Sequence, residues 1–119
     1  MNRELQSATK LTIFIGGDER HGHHPLYQSV IELLRESGIT EATMTKGVMS
    51  YGSGRRIHST LNEVTMENLP LIIEAVGERE RVEAAAPSVA EMLGGRGPVQ
   101  MQPTMALRRG AGGEKGGEG

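Results

Sequence analysis

The chain has 119 residues, a formal net charge of −2 and no cysteine. This length suits one domain with a modest core, and the charge balance does not point to nucleic acid or to an anionic membrane. The lack of cysteine excludes disulfides, zinc–thiolate sites and thiol nucleophiles. No apolar run approaches the roughly 20 residues that cross a bilayer, and the first ten residues lack the apolar segment of a signal peptide. We therefore expect a soluble cytoplasmic protein without membrane insertion.

The first half of the chain predicts a strand, a helix and a second strand. Residues 11–15 (LTIFI) form a short apolar run of β-favouring types. Over residues 25–37 the apolar positions recur every three or four residues, as in an amphipathic helix, and the leading proline suits the first helical position. Gly38 is a candidate left-handed C-terminal cap of that helix. Residues 42–51 alternate loosely and predict a strand that is weakened by Gly47.

A polar segment follows the second predicted strand. Residues 52–66 are rich in glycine and charge, show no clean period and are long for a hairpin turn, so they predict a functional or mobile loop. Residues 69–76 (LPLIIEAV) then give the strongest strand signal in the chain, with a proline that belongs at its first residue or edge.

Prolines complicate the last predicted helix and the last predicted strand. Residues 78–93 carry one apolar face, but Pro87 conflicts with an unbroken helix, which predicts a kink or a new helix beginning there. Residues 99–107 alternate as a strand that Pro103 restricts to a sheet edge. The glycine-rich residues 110–119 cannot bury apolar area and predict a flexible tail.

The predicted order β-α-β-β-α-β is that of an α+β, ferredoxin-like fold, with an antiparallel sheet and two helices on one face. We expect residues 1–9 to be flexible, residues 10–107 to form the domain and residues 108–119 to be a flexible tail. The sheet face without helices must be polar or covered, and we expect oligomerisation to cover it. The fold alone leaves the function open, because it hosts unrelated chemistries.

Three segments resemble one protein family. They read KLTIFIGGDERHGHHPLYQSVIELLRESGI, ATMTKGVMSYGSGRRIHS and ENLPLIIEAVGERERVEAAAPSVAEM. In this order they are similar to the PII-like proteins of unknown function that form the family DUF190, and Pro87 lies where that family has a proline. The resemblance extends over residues 10–92. It implies a ferredoxin-like subunit, a homotrimer and a regulatory rather than catalytic role.

A looser similarity connects the chain to the PII signal-transduction proteins. Those carry Lys-Gly at the end of the second strand, then a long loop that docks on partners; here Lys46-Gly47 precedes residues 52–66. Their arginine-rich C-terminal segment is faintly similar to Arg108-Arg109. The resemblance implies an adenine nucleotide effector in the cleft between subunits and a protein target, either a membrane transporter or an enzyme. The candidate nucleotide or anion site comprises Lys46, Gly47, Gly52, Arg55, Arg56, His58 and Arg108.

The residues themselves support an anion site independently of the resemblance. Glycines let backbone N–H groups approach a phosphate, Arg55 and Arg56 provide planar forks, and Lys46 provides a point charge. The segment is not a Walker loop and does not open a helix. A solvated basic turn is the competing interpretation, and for Arg108 and Arg109 the competing interpretation is a charged strand end.

A histidine cluster precedes the first predicted helix. The cluster contains His21, His23 and His24, and with Asp18 these could supply imidazole and carboxylate ligands to Zn, Cu or Ni, as in a trimeric metal-binding protein of the same fold. A polar helix entrance explains the same residues without a metal. The family resemblance favours His21-Gly22 as a structural or ligand-contacting loop-to-helix site.

Acid/base catalysis is the third interpretation of the histidines. His21 or His58 could pair with Asp18 or Glu74, because an imidazole titrates near neutrality. No serine elbow or metalloprotease motif accompanies them, and the sequence therefore predicts that the protein is not an enzyme.

Overall fold

The computed structural model describes residues 3–51, 57–59 and 70–109. The strands are β1 (Arg3–Gly16), β2 (Arg20–His21), β3 (His24–Pro25), β4 (Glu41–Lys46), β5 (Met49–Tyr51), β6 (Ile57–Ser59), β7 (Pro70–Gly77) and β8 (Val99–Arg109), and the helices are α1 (Leu26–Glu36) and α2 (Arg79–Leu93). The main sheet has the order β4-β7-β1-β8 and is antiparallel throughout. Strands β2–β3 and β5–β6 form two separate pairs. The predicted ferredoxin-like order is confirmed, with two small hairpins added.

Strict alternation along the central strands separates two faces of the sheet. Leu11, Ile13 and Ile15 of β1 are buried, and the partner strand β7 buries its own odd-numbered positions. Both helices pack their apolar stripes on this face, and the core cluster includes Leu26, Val30, Leu34, Val82 and Val89. Each such side chain contributes about 1.5–3 kcal/mol when it is fully buried. The helices therefore lie on one face, as predicted.

The opposite face, here called the open sheet face, carries a mixed set of side chains. All of them are half-buried or exposed: Lys10, Thr12, Phe14, Thr43, Thr45, Ile72, Glu74, Val76, Gln100 and Gln102. In its middle the Nζ of Lys10 lies 3.8 Å from Oε2 of Glu74. Such an exposed pair adds little stability, so this face is not a second core.

The sheet extends closer to both ends of the chain than the sequence predicts. Residues 1–9 were expected to be flexible, yet β1 begins at Arg3 and pairs with β8 as far as Arg3↔Arg109. Pairing of β1 with β7 begins only at Thr9↔Gly77, so residues 3–8 and 104–109 form a two-stranded ribbon beyond the rest of the sheet. The ribbon cannot be predicted from its polar sequence, because its backbone hydrogen bonds depend on the partner strand and do not require an apolar run. Residues 110–119 lie outside the described residues.

Strand β8 is an edge strand, as Pro103 predicts. It pairs with β1 alone in the described sheet, and Pro103 lies opposite Thr9. A proline is tolerated there because an edge strand has one side without a ladder partner. Within the described ranges, no helix is long and apolar enough to cross a membrane.

The predicted first helix and its cap are confirmed to within one residue. Pro25 has ψ 140° and is the N-cap, so the helix begins at Leu26. At the other end Gly38 has φ 81°, and the Ile39 N–H donates to the Leu34 carbonyl at 3.3 Å. Only glycine adopts this left-handed conformation without a Cβ penalty, and the cap satisfies carbonyls that would otherwise lack partners.

Of the two outcomes predicted at Pro87, a new helix beginning there is wrong, and a kink stays a prediction. Helix α2 runs without a break from Arg79 to Leu93 and ends at Gly94, which has φ 58°. Pro87 removes one donor to the Glu83 carbonyl, but both residues lie on the exposed side of the helix, where water can serve that carbonyl. The buried residues on either side, Val82 and Val89, hold the helix on the sheet.

The second predicted strand is divided in two. Strand β4 ends at Lys46, β5 begins at Met49, and the Gly47 N–H between them donates to the Pro70 carbonyl at 2.7 Å. A Cβ at Gly47 would come within 3.1 Å of Cγ of Pro70, which explains the glycine. The expected loop of residues 52–66 also contains a strand, because β6 pairs with β5 through Ser50↔His58.

Candidate functional site

Lys46 and Gly47 lie where the chain leaves the main sheet. Lys46 is the last residue of the edge strand β4, is exposed, and pairs with Leu71 of β7. The chain rejoins the sheet at Pro70, which accepts the Gly47 hydrogen bond. Both ends of the excursion formed by residues 48–69 are therefore fixed at one point of the sheet. A ligand that contacts Lys46 would adjoin the base of this excursion.

The other members of the predicted anion site are less defined. Gly52, Arg55 and Arg56 lie outside the described residues. His58 is described in β6 through its backbone, and Arg108 in β8 likewise. The arrangement of their side chains around a ligand stays a prediction.

The predicted loop-to-helix site is a tight hairpin, here called the histidine hairpin and comprising residues 20–25. His21 pairs with His24 across β2 and β3, and Gly22 in the turn has φ 64°. The guanidinium of Arg20 donates to the His23 carbonyl at 2.6 Å. All of the three histidines are exposed, so the hairpin presents its imidazoles to solvent.

One arginine that the sequence reasoning missed holds this hairpin in place. Arg96 follows α2 and donates to the Leu93 carbonyl at 2.8 Å and to the Met92 carbonyl at 3.1 Å. The same guanidinium donates to the Arg20 carbonyl at 2.8 Å and to Oε1 of Glu19 at 3.3 Å. A basic residue directly after a helix is the sequence signal that could have identified it, because it can satisfy the last carbonyls.

The metal interpretation gains no support from the described part of the chain. There, no three histidine or acidic side chains lie close enough to hold a metal ion. His21, His23 and His24, the metal candidates, belong to one tight hairpin, in which only His21 and His24 are cross-strand partners. Asp18 precedes the hairpin and does not complete a ligand set with them.

The structure does not support a pairing of Glu74 with His21 for acid/base catalysis. This carboxylate lies in the middle of β7, opposite Thr12, and forms its ion pair with Lys10. His21 lies five residues beyond the end of β1. The two groups are therefore on different parts of the molecule.

Lys46 and Arg108 lie at opposite ends of the main sheet. Lys46 is level with Leu71 and hence with Ile15 of β1, whereas Arg108 pairs with Glu4. Eleven residues of β1 separate these two levels, which corresponds to about 37 Å along the strand. One subunit cannot bring both residues to a single nucleotide.

The sequence matches one family over most of its length. Residues 8–105 match DUF190, described as "Uncharacterized ACR, COG1993". Among curated relatives, a UPF0166 protein of Aquifex aeolicus is 38% identical over 55 residues, which are 46% of this chain and 57% of the relative. The UPF0166 protein MJ1524 of Methanocaldococcus jannaschii is 26% identical over 89 residues, 75% of this chain and 82% of the relative. The chain thus spans little more than half of the first relative.

Solved structures share the fold. CPII, a nitrogen regulatory PII-like protein from Thiomonas intermedia K12 bound to ADP, AMP and bicarbonate, superposes with a TM-score of 0.70 at 17% identity, covering 87% of this chain and 91% of that one. A putative PII-like signaling protein of Thermus thermophilus gives a TM-score of 0.53 at 17% identity, with 90% and 92% covered.

These similarities define the class of the protein as a PII-like, ferredoxin-like α+β domain. More narrowly, the chain belongs to the DUF190 family. Both the fold and the family that the sequence motifs indicated are confirmed.

Proposed function

We propose that this protein is a PII-like regulator, a homotrimer that binds an adenine nucleotide between subunits and contacts a protein target through residues 52–66. The observation that carries the proposal is the fold shared with CPII, a protein described as bound to ADP and AMP, together with Lys46-Gly47 at the base of the excursion. An ammonium at this position suits a phosphate oxygen, whereas the Gly47 N–H beside it already donates to the Pro70 carbonyl.

The strand register supports a position of the effector between subunits. Lys46 and Arg108 belong to opposite ends of the sheet, about 37 Å apart along β1. A site that uses both cations must therefore take one from each of two copies. Such a site forms only in the oligomer, which gives a regulator a direct connection between ligand binding and assembly.

The regulatory step is a shift in the population of loop conformations. Phosphate groups held by Lys46 and by the loop residues Arg55 and Arg56 would favour one arrangement of residues 52–66 over the others. A ligand changes the balance only as far as its affinity differs between arrangements, and a hundredfold difference corresponds to about 2.7 kcal/mol. The target, a membrane transporter or an enzyme, then recognises the favoured arrangement.

Regulation fits the side chains better than catalysis does. The sequence contains no cysteine and no recognised nucleophile motif. Among the described residues, the exposed histidines of the hairpin do not form a cluster of three or more histidine and acidic side chains. Binding without turnover is the chemistry that these groups support.

Calorimetric titration tests the proposal with ATP, ADP, AMP and cyclic adenine nucleotides in turn. We expect at least one of them to bind with one site per subunit, and Lys46→Ala to weaken binding about tenfold or more, because a charge-assisted hydrogen bond contributes about 1.5–3 kcal/mol. Arg35→Ala is the matched control, since it removes one exposed positive charge in the last turn of α1. Absence of heat with every nucleotide at millimolar concentration would refute the nucleotide effector.

A further inference from the structure

A groove lies between the first turns of α2 and the edge strand β8, on the sheet face that carries the helices. It consists of two adjoining cavities of about 500 and 370 Å³, which share Arg79 and Glu83. The strands β1 and β8 contribute its floor, which includes Ser7, Thr9, Met101 and Pro103. This groove is here called the α2–β8 groove. Its cavities have the volume of small-molecule sites, and none of these residues belongs to the candidate nucleotide site.

A buried hydroxyl without a partner lies in the floor of the α2–β8 groove. Thr9 is only 8% exposed and lines the cavity together with Met101 and Pro103. Among the described residues, its hydroxyl neither donates nor accepts a hydrogen bond. Its cross-strand partner Pro103 has no N–H to offer. Since a buried polar group without a hydrogen bond is costly, the missing partner must come from a group in the groove, either solvent or a ligand.

The wall that α2 contributes to the groove is acidic. Three carboxylates face one guanidinium there, a formal charge of −2, on Glu78, Arg79, Glu80 and Glu83. Nε of Arg79 donates to Oε2 of Glu83 at 2.9 Å, which leaves Oε1 of Glu83 and the Glu80 carboxylate without a hydrogen-bond donor among the described residues. Arg81 pairs with Glu78 at 3.3 Å outside the lining, and including it still leaves a charge of −1. The groove therefore favours a cation.

We propose that the α2–β8 groove binds a linear aliphatic amine, either a free di- or polyamine or the side chain of a lysine. Its ammonium group donates to Oε1 of Glu83 and to the Thr9 hydroxyl, which line the same cavity. An ammonium has three donors and no acceptor, which suits this set of oxygens. The methylene chain lies along Met101 and Pro103, and Met105, which is 54% exposed, extends the apolar strip.

This site is separate from the proposed nucleotide site. Lys46 is level with Ile15 of β1, six residues beyond Thr9, which corresponds to about 20 Å along the strand. Lys46 also belongs to β4, the edge of the sheet opposite to β8. The groove thus gives the protein a second binding site that is selective for a cation, whereas the proposed nucleotide site is selective for an anion.

Calorimetric titration with cadaverine and with Nα-acetyl-lysine methylamide tests the site, at low ionic strength because salt screens such contacts. We expect at least one of the two amines to bind with one site per chain, and pentanediol, the neutral analogue of cadaverine, not to bind. Tighter binding of cadaverine identifies a free amine as the ligand, and tighter binding of the lysine derivative identifies a lysine side chain. Absence of heat with both amines at high millimolar concentration, or equal binding of pentanediol, would overturn the proposal.

Thr9→Val distinguishes a built site from loose association of a cation with acidic residues, because it changes no charge. We expect it to weaken amine binding about tenfold, since one hydrogen bond to a charged group is lost. Thr12→Val makes the same change on the opposite face of the same strand and should leave the affinity as it is. If Thr9→Val does not lower the affinity, the amine is an adventitious ion only and the proposal fails.

Charge variants of α2 provide a second measurement. Glu83→Gln should weaken amine binding at least as much as Thr9→Val does. Glu91→Gln, which changes an exposed carboxylate further along the same helix, is its matched control. Arg79→Gln should strengthen binding, because it removes the guanidinium that competes for Glu83. Equal effects of Glu83→Gln and Glu91→Gln, or weaker binding in Arg79→Gln, would contradict the position of the ammonium group.

Discussion

The two ends of the main sheet differ in the contacts that cover them. At the end of β1 near Gly16, Arg96 joins α2 to the histidine hairpin and to the adjacent Glu19 through four hydrogen bonds. At the other end the ribbon extends past the helices and exposes Leu5 and Leu107. The first end is closed by contacts within the chain, whereas the second presents apolar side chains that none of the described elements covers. Within the described residues, the domain is therefore closed by its own contacts at one end of the sheet only.

Gly97→Ala should give the largest loss of stability at the closed end. A Cβ at Gly97 would overlap the carbonyl oxygen of Phe14, which is backbone of a central strand and cannot rotate away. The Phe14 N–H also donates to the Pro98 carbonyl at 3.2 Å, so any shift breaks this hydrogen bond. We expect the free energy of unfolding to fall by about 2–4 kcal/mol, measured by urea denaturation.

Gly22→Ala is the comparison for Gly97→Ala within the same end of the molecule. Gly22 has φ 64°, and a Cβ there would meet no atom within 4 Å. The cost is therefore backbone strain alone, about 1 kcal/mol. If Gly22→Ala destabilises the protein as much as Gly97→Ala, close packing against β1 is not what closes this end.

Arg96→Ala should cause the next largest loss of stability after Gly97→Ala. It removes the donors to two carbonyls at the end of α2 and to the Arg20 carbonyl, and we expect a loss of about 1–3 kcal/mol in unfolding free energy. The Leu26 N–H, which donates to the Glu19 carbonyl at 2.8 Å, should exchange faster with deuterium because the hairpin loosens. Arg35→Ala is the control for loss of charge. Unchanged exchange at Leu26 would show that the hairpin does not depend on Arg96.

The sequence alone indicates the core elements well and the ends of the sheet poorly. Residues 11–15 and 69–76 are visible as strands because a buried strand must be apolar, and Gly38 is visible as a cap because its conformation requires glycine. The ribbon is not visible, since its pairing depends on a partner about a hundred residues away in the chain.

The candidate site likewise has residues that the sequence identifies and residues that only the structure identifies. The Lys46-Gly47 pair can be recognised as a motif, and the strand register then shows its distance from Arg108. Arg96 carries no motif, and its role follows from carbonyls that two separate elements bring together. Pro87 misleads because an exposed proline is tolerated when buried residues on both sides hold the helix.

Mixing two defective variants tests the central claim that one site takes its cations from two chains. Lys46→Ala and Arg108→Ala should each weaken adenine nucleotide binding. When they are unfolded, mixed in equal amounts and refolded, about a quarter of the sites in a ring receive both native residues. We predict that this fraction recovers the affinity of the natural protein. A mixture that binds no better than either variant alone would contradict the account.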